Sequence, residues 1–235
     1  TQTEYIEGLV GTWKQEVAEA GFAETSPTTP IPPGTFLTAA TEIMPAEYEP
    51  IIKRGYKAVC GSLLWVARFC HCEIACAVSY CCRVMAKPSE EAWKCCMQII
   101  AWLRDNKSIG IKFRSDNNEH GLVATTDASN KIDPHDKKCQ ASLTVQWYGG
   151  PLANMSKKLP RIGHGTGSVE YMGFRIAAAR VMKFRHLMRE LGLFEVITLP
   201  TKIYCDNQIA INWQKTGQIT QGNHYFDIDY HQPRE

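Results

Sequence analysis

With 235 residues, 44% of them hydrophobic and 21% charged, the chain is long enough to bury the core of one or two domains. Its 26 Lys and Arg offset 24 Asp and Glu to a formal charge of +2, which excludes a global basic field, so any nucleic-acid binding must use local clusters. Ten cysteines without a signal-type leader point to free thiols in a reducing, intracellular setting, cytoplasmic or nuclear, and the most apolar run, 58–85, carries Arg68, His71, Glu73 and Arg83, so no membrane partner is expected.

Residues Tyr5 to Trp13 space their apolar side chains as a helix does, and 17–20 can extend that helix or leave it for a strand. Prolines 27, 30, 32 and 33 remove backbone donors and predict a linker or extended strap. Ile43 to Gly55, interrupted by Pro45 and Pro50, reads as a connection. From Tyr56 to Met85 the residues Leu63, Leu64, Ala67, Ile74, Ala77, Val78 and Cys81 recur three or four apart, which predicts a helical stretch broken near Cys70-His71-Cys72. Ser89 followed by Glu90 and Glu91 predicts a capped helix to about Arg104, and its face of Trp93, Cys96, Met97, Ile100 and Leu103 asks for a partner, the preceding helix being nearest.

After Gly110 the period changes. Ile111-Lys112-Phe113, Leu122 to Asp127, and Leu143 to Trp147 before Gly149-Gly150 read as strands. Residues 160–167 form a glycine-rich loop, Ser168 is a candidate cap, and Val169 to Leu191 predicts a long helix ended by Gly192. Val196-Ile197 and Ile203-Tyr204 read as a further strand, and Asn207 can begin a helix over 208–215. The fold class is α/β, a mixed sheet with helices packed on it.

Four acids stand at element ends: Asp127 closing a strand, Glu170 opening the long helix, Asp206 closing the strand before Asn207, and Asp227 opening a last helix. Taken singly, each has a structural reading as a turn, cap or helix-dipole residue. Together they suit Mg²⁺, a hard ion that takes oxygen ligands from separate elements, and two such ions can activate a water and stabilise a leaving oxygen in phosphodiester cleavage. Cys70-His71-Cys72 with Cys76 suggests zinc, but the paired clusters of a tetrahedral site are missing, so these and Cys205 read as packed thiols. Lys137, Lys138, Lys157, Lys158 and Arg161 are either solvated surface or phosphate contacts.

Tyr204-Cys205-Asp206-Asn207-Gln208-Ile209-Ala210-Ile211, Phe226-Asp227-Ile228-Asp229-Tyr230-His231, Val169-Glu170-Tyr171-Met172 and Thr126-Asp127-Ala128 resemble the acid motifs of the reverse transcriptase and ribonuclease H region of copia-type LTR retrotransposon polyproteins. Tyr56 to Trp65, Ile74 to Ser79 and Trp93-Lys94 are similar to the helical segment of that family between polymerase thumb and ribonuclease H, and Tyr5-Ile6-Glu7 and Ser26-Pro27 to the lower thumb. The resemblance implies a ribonuclease H-like, five-stranded mixed sheet with flanking helices at 117–235, C-terminally truncated, after a partial thumb and linker at 1–50 and a helical connection at 51–116. It implies hydrolysis of the RNA strand of RNA–DNA hybrids with two Mg²⁺ ions, Mn²⁺ being a substitute. Asp127 would bridge both ions, Asp227 would help hold the one that activates water, and Glu170 with Asp206 would hold the other. The implied partners are the hybrid and an upstream polymerase domain of the same polyprotein, with a virus-like particle as one setting.

The chain also departs from the family. Ser129-Asn130 stand where an aromatic usually follows the first acid, 166–169 lack an extra acid, and His224-Tyr225 replace a Lys-His pair before Asp227. With no two consecutive aspartates, the polymerase site is absent from this chain. The alternative expectation is a non-catalytic, eroded fragment that binds nucleic acid or packs on a polymerase domain.

Overall fold

The computed structural model describes residues 2–37, 43–114, 121–129, 133, 136–163 and 165–216. Asp227, Asp229 and His224 lie outside the described residues. The chain divides into two compact units, Thr1–Ile111 and Lys112–Glu235.

The first unit is helical: α1 (Thr3–Thr12), α2 (Lys14–Val17), a π-type turn at Ala18–Phe22, α3 (Pro45–Lys53), α4 (Tyr56–Phe69), a 3₁₀ turn at Cys72–Ile74, α5 (Ala75–Arg83) and α6 (Glu90–Asn106). Ser89 caps α6 by accepting from the Ala92 N–H at 3.1 Å. The predicted partner face of α6 is only part of what it buries. Ala92, Cys95, Gln98, Ile99 and Ala101 are buried as well, because α1, α2, the π-type turn, α4 and α5 all pack on it. A helix apolar most of the way round belongs inside a bundle. The proline strap meets it where Gln98 Nε2 donates to the Thr29 carbonyl at 2.9 Å, and the end of the π-type turn meets it where Arg104 donates to the carbonyls of Phe22 and Ala23. The helical break expected near residue 70 falls between α4 and the 3₁₀ turn.

Residues 45–53, expected as a connection, are helical. Pro45 occupies the first helical position, where its missing N–H has no partner to lose, and the Met44 N–H is held by Glu47 Oε2 at 3.0 Å.

The second unit holds four described strands, β1 (Leu122–Ser129), β2 (Gln140–Trp147), β3 (Gly150–Lys158) and β4 (Lys202–Tyr204), with α7 (Thr166–Glu190), α8 (Phe194–Ile197) and α9 (Gln208–Thr216). The strand order is β3-β2-β1-β4, antiparallel except for the parallel β1–β4 pair. The β2–β3 hairpin turns on Tyr148 and Gly149, both at positive φ, the conformation that matches the twist of a two-residue hairpin. Along β1 the burial alternates, with Leu122, Ala124, Thr126 and Ala128 inward and Thr125, Asp127 and Ser129 exposed.

Helix α7 lies on β1 and β2. Gly173 permits the approach, since a Cβ there would stand 3.1 Å from Thr126 Oγ1. Two apolar clusters flank this contact, one of Ala128, Ala141, Leu159, Val169, Tyr171, Met172 and Ala210, the other of Leu122, Ala124, Leu143, Val145, Ala177, Val181 and Met188. Gly192 ends α7 at φ 73°, with the Leu193 N–H returning to the Met188 carbonyl and the Gly192 N–H to that of Arg189. Val196-Ile197 form the short α8 rather than strand, and Ile111-Lys112-Phe113 are not strand either.

Candidate metal centre

The centre is assembled where β1 and β4 end side by side. Their parallel register runs Val123–Lys202, Ala124–Ile203 and Thr125–Tyr204, so Asp127 and Asp206 each fall two residues past the last pair and share the exposed alternate set. The carboxyl ends of adjacent parallel strands are where open α/β sheets place ligands. Asn207 then turns the chain into α9, its Oδ1 accepting from the N–H groups of Ile209 and Ala210 at 3.0 Å each. Helix α9 is held against α7 by the edge-on contact of Trp213 with Tyr171, ring centroids 5.6 Å apart. At the same seam, Gly167 leaves room for Ile209.

Glu170 comes from the other side, one turn into α7, and is 3% exposed. Its Oε1 accepts from the Ala128 N–H at 3.1 Å, and its Oε2 accepts from the Cys205 thiol at 3.7 Å. Burial pushes the Glu170 carboxyl up to about 7. The Ala128 N–H pulls against that shift, while the charges of Asp127 and Asp206 add to it. Burial likewise raises the Cys205 thiol to about 11, with Glu170 and Asp206 adding to it.

Among the described residues, Glu170, Cys205 and Asp206 bring three potential ligand atoms within 4.8 Å of one another. The structure thus gathers two of the four acids. Asp127 is outside that triplet, on the exposed set of β1, yet near enough for its charge to act on Glu170. Asp227 lies outside the described residues. Cys205 is the member that reading by residue type set aside as packing. Its adjacency to Asp206 was visible in the chain, but the approach of Glu170 from 35 residues earlier was not.

Cys70, His71, Cys72 and Cys76 form no such triplet. His71 is buried with its Nδ1 paired to Glu73 at 2.7 Å, and Cys76 is exposed. Of the basic residues, Lys158 is engaged by Asp133 at 2.6 Å and Asp136 at 2.8 Å, so it is committed to a local ion pair, while Lys157 is exposed on β3. No helix among the described residues is long and apolar enough to cross a membrane.

Oxygen donors from α7 and from the turn that follows β4, with Asp127 beside them, fit a hard divalent cation. A buried carboxylate repelled by two neighbouring acids is a group whose ionised form a cation would stabilise.

The chain is 25% identical over 183 residues to the "Retrovirus-related Pol polyprotein from transposon TNT 1-94" of Nicotiana tabacum, an alignment that takes in 78% of this chain and 13% of that polyprotein. No family model matches, and no solved structure matches. The chain is therefore a distant relative of a retrotransposon Pol polyprotein, and its match spans about an eighth of that protein's length.

Proposed function

We propose that the second unit is a ribonuclease H-like domain that hydrolyses the RNA strand of RNA–DNA hybrids with divalent metal, as part of a retrotransposon reverse transcriptase. The observation that carries this reading is the meeting of Glu170 with Asp206 at the ends of parallel strands, beside Asp127, in a chain related to a Pol polyprotein. The strand order β3-β2-β1-β4, with α7 between β3 and β4, supports it. On this reading a fifth strand would complete the sheet, and Asp227, outside the described residues, would complete the site.

Glu170 and Asp206 would hold one Mg²⁺ or Mn²⁺ ion, Asp127 would bridge to a second, and Asp227 would help hold that second ion. Bound metal supplies an activated water and stabilises the leaving oxygen of an in-line displacement. The protein's own part is orientation. The Ala128 N–H fixes Oε1 of Glu170, Asn207 fixes the turn that presents Asp206, and no side-chain nucleophile is required. Exposure of Asp206 and Asp127 leaves the centre open to a phosphate backbone, and contact with the hybrid would be mostly to backbone and 2′-hydroxyl groups, with little sequence preference. The helical unit would then be the thumb and connection that joins this domain to an upstream polymerase domain.

Incubating the chain with labelled RNA–DNA hybrid and Mg²⁺ tests the proposal. Cleavage is expected, reduced about a hundredfold or more by Asp206→Asn, since loss of a direct ligand costs at least as much as loss of an outer-shell partner. Cleavage undiminished in that variant, or none in the wild type, sinks it. Hybrid bound without metal-dependent turnover would point instead to a non-catalytic, nucleic-acid-binding fragment.

A further inference from the structure

One sulfur stands among the oxygens of this centre, and the proposed cleavage makes no use of it. Cys205 Sγ lies 3.7 Å from Glu170 Oε2, and with an oxygen of Asp206 the three ligand atoms fall within 4.8 Å of one another. Zinc binds thiolate at about 2.3 Å and carboxylate oxygen at about 2.0–2.2 Å, so two such ligands at a tetrahedral angle stand about 3.6 Å apart. In this structure the Cys205 thiol donates a hydrogen bond to Glu170 Oε2 across 3.7 Å, a separation close to that span, so an ion that displaces the thiol proton would meet both atoms with little side-chain movement. Mg²⁺ takes oxygen ligands and keeps its waters, and it has no use for sulfur, whereas soft thiolate ligands select ions of the zinc class.

Local structure holds the thiol in place. Strand β4 stops at Tyr204 and Asn207 caps α9, which leaves Cys205 half-buried between a buried Glu170 and an exposed Asp206 through which an ion can enter. The thiols of the helical unit have a different setting. Cys60, Cys81 and Cys96 are buried together in the helical core, but among the described residues no three of these thiols bring ligand atoms together as Cys205 and its neighbours do.

Resting on the metal-centre reading above, we propose that Cys205 makes this centre a binding site for thiophilic divalent ions of the zinc and cadmium class, with Glu170 and Asp206 supplying the oxygens. Such an ion occupies the carboxylates that Mg²⁺ needs and so inhibits the centre. The sulfur–metal bond forms as the Cys205 thiol proton leaves to solvent.

The test is titration of the full chain with Cd²⁺, read by sulfur-to-metal charge-transfer absorbance in the ultraviolet, beside titration with Mn²⁺ read by water-proton relaxation. Wild type is compared with Cys205→Ala, Cys205→Ser, Glu170→Gln and Asp206→Asn. The ratio of Cd²⁺ to Mn²⁺ affinity should fall about tenfold or more in both Cys205 variants, with the charge-transfer increment lost. An unchanged ratio in both, while Mn²⁺ binding still depends on Glu170 and Asp206, overturns the role of the thiol and leaves the metal centre standing. Affinities for both ions that ignore Glu170→Gln and Asp206→Asn overturn the two together.

Discussion

The two units bury ionisable groups to opposite ends. In the helical unit Cys60, Cys81 and Cys96 have no exposed surface and pack as small hydrophobes within one core from Ile6 to Leu103, and burial pushes neighbouring Cys95 up to about 12, so that thiol stays neutral. In the sheet unit a carboxyl is buried instead, with two further acids close by, an arrangement that opposes folding unless a proton or a cation arrives. Burial of a polar group serves packing in the first case and raises a carboxyl's hold on its proton in the second.

The largest effect that could break this contrast is in the helical core. Ile100, with no exposed surface on α6, should cost about 2–5 kcal/mol when cut to Ala, read by denaturant unfolding, while Mn²⁺ affinity stays as in the wild type. A loss of metal binding there would mean that the two units do not divide packing from chemistry.

Glu170→Gln sharpens the other side. The folded carboxyl titrates near 7 against an ordinary 4.5, so the folded state holds its proton more tightly than the unfolded chain does. The stability this provides is present below about 4.5 and is lost as pH rises through about 7. In chelator, thermal unfolding should therefore show the Gln variant more stable than wild type by on the order of 3 kcal/mol above neutrality, and little different at acid pH. The advantage should shrink when Mn²⁺ is added. A Gln variant less stable than wild type at every pH would show that Glu170 is held for packing after all. The smallest expected effect is at Asn207→Ala, about 1 kcal/mol for the lost cap, with a modest weakening of Mn²⁺ binding because Asp206 sits just before the capped turn.

Locally encoded features were legible in the chain: the Ser89 cap, the break after α4, the Gly192 stop and the Asn207 cap each depend on a few adjacent residues. Helix α3 was not, because Pro45 looks like a breaker unless it falls at the first helical position. Val196-Ile197 misled for a related reason, as a β-branched pair too short for its period to be read. The acids were recognisable as motif positions, but their convergence depends on the parallel β1–β4 register and on α7 crossing the sheet at Gly173, both long-range. Those same contacts bring Cys205 into the centre and leave Asp127 on the exposed set beside it.

The most direct test of the central claim is a crystal structure of the chain soaked in Mn²⁺, with the ion located by anomalous scattering. A peak is expected within coordination distance of the Glu170 and Asp206 carboxylates, with Asp127 turned towards it. At saturating Mn²⁺, density that leaves those carboxylates empty, or an ion held only elsewhere, would contradict it.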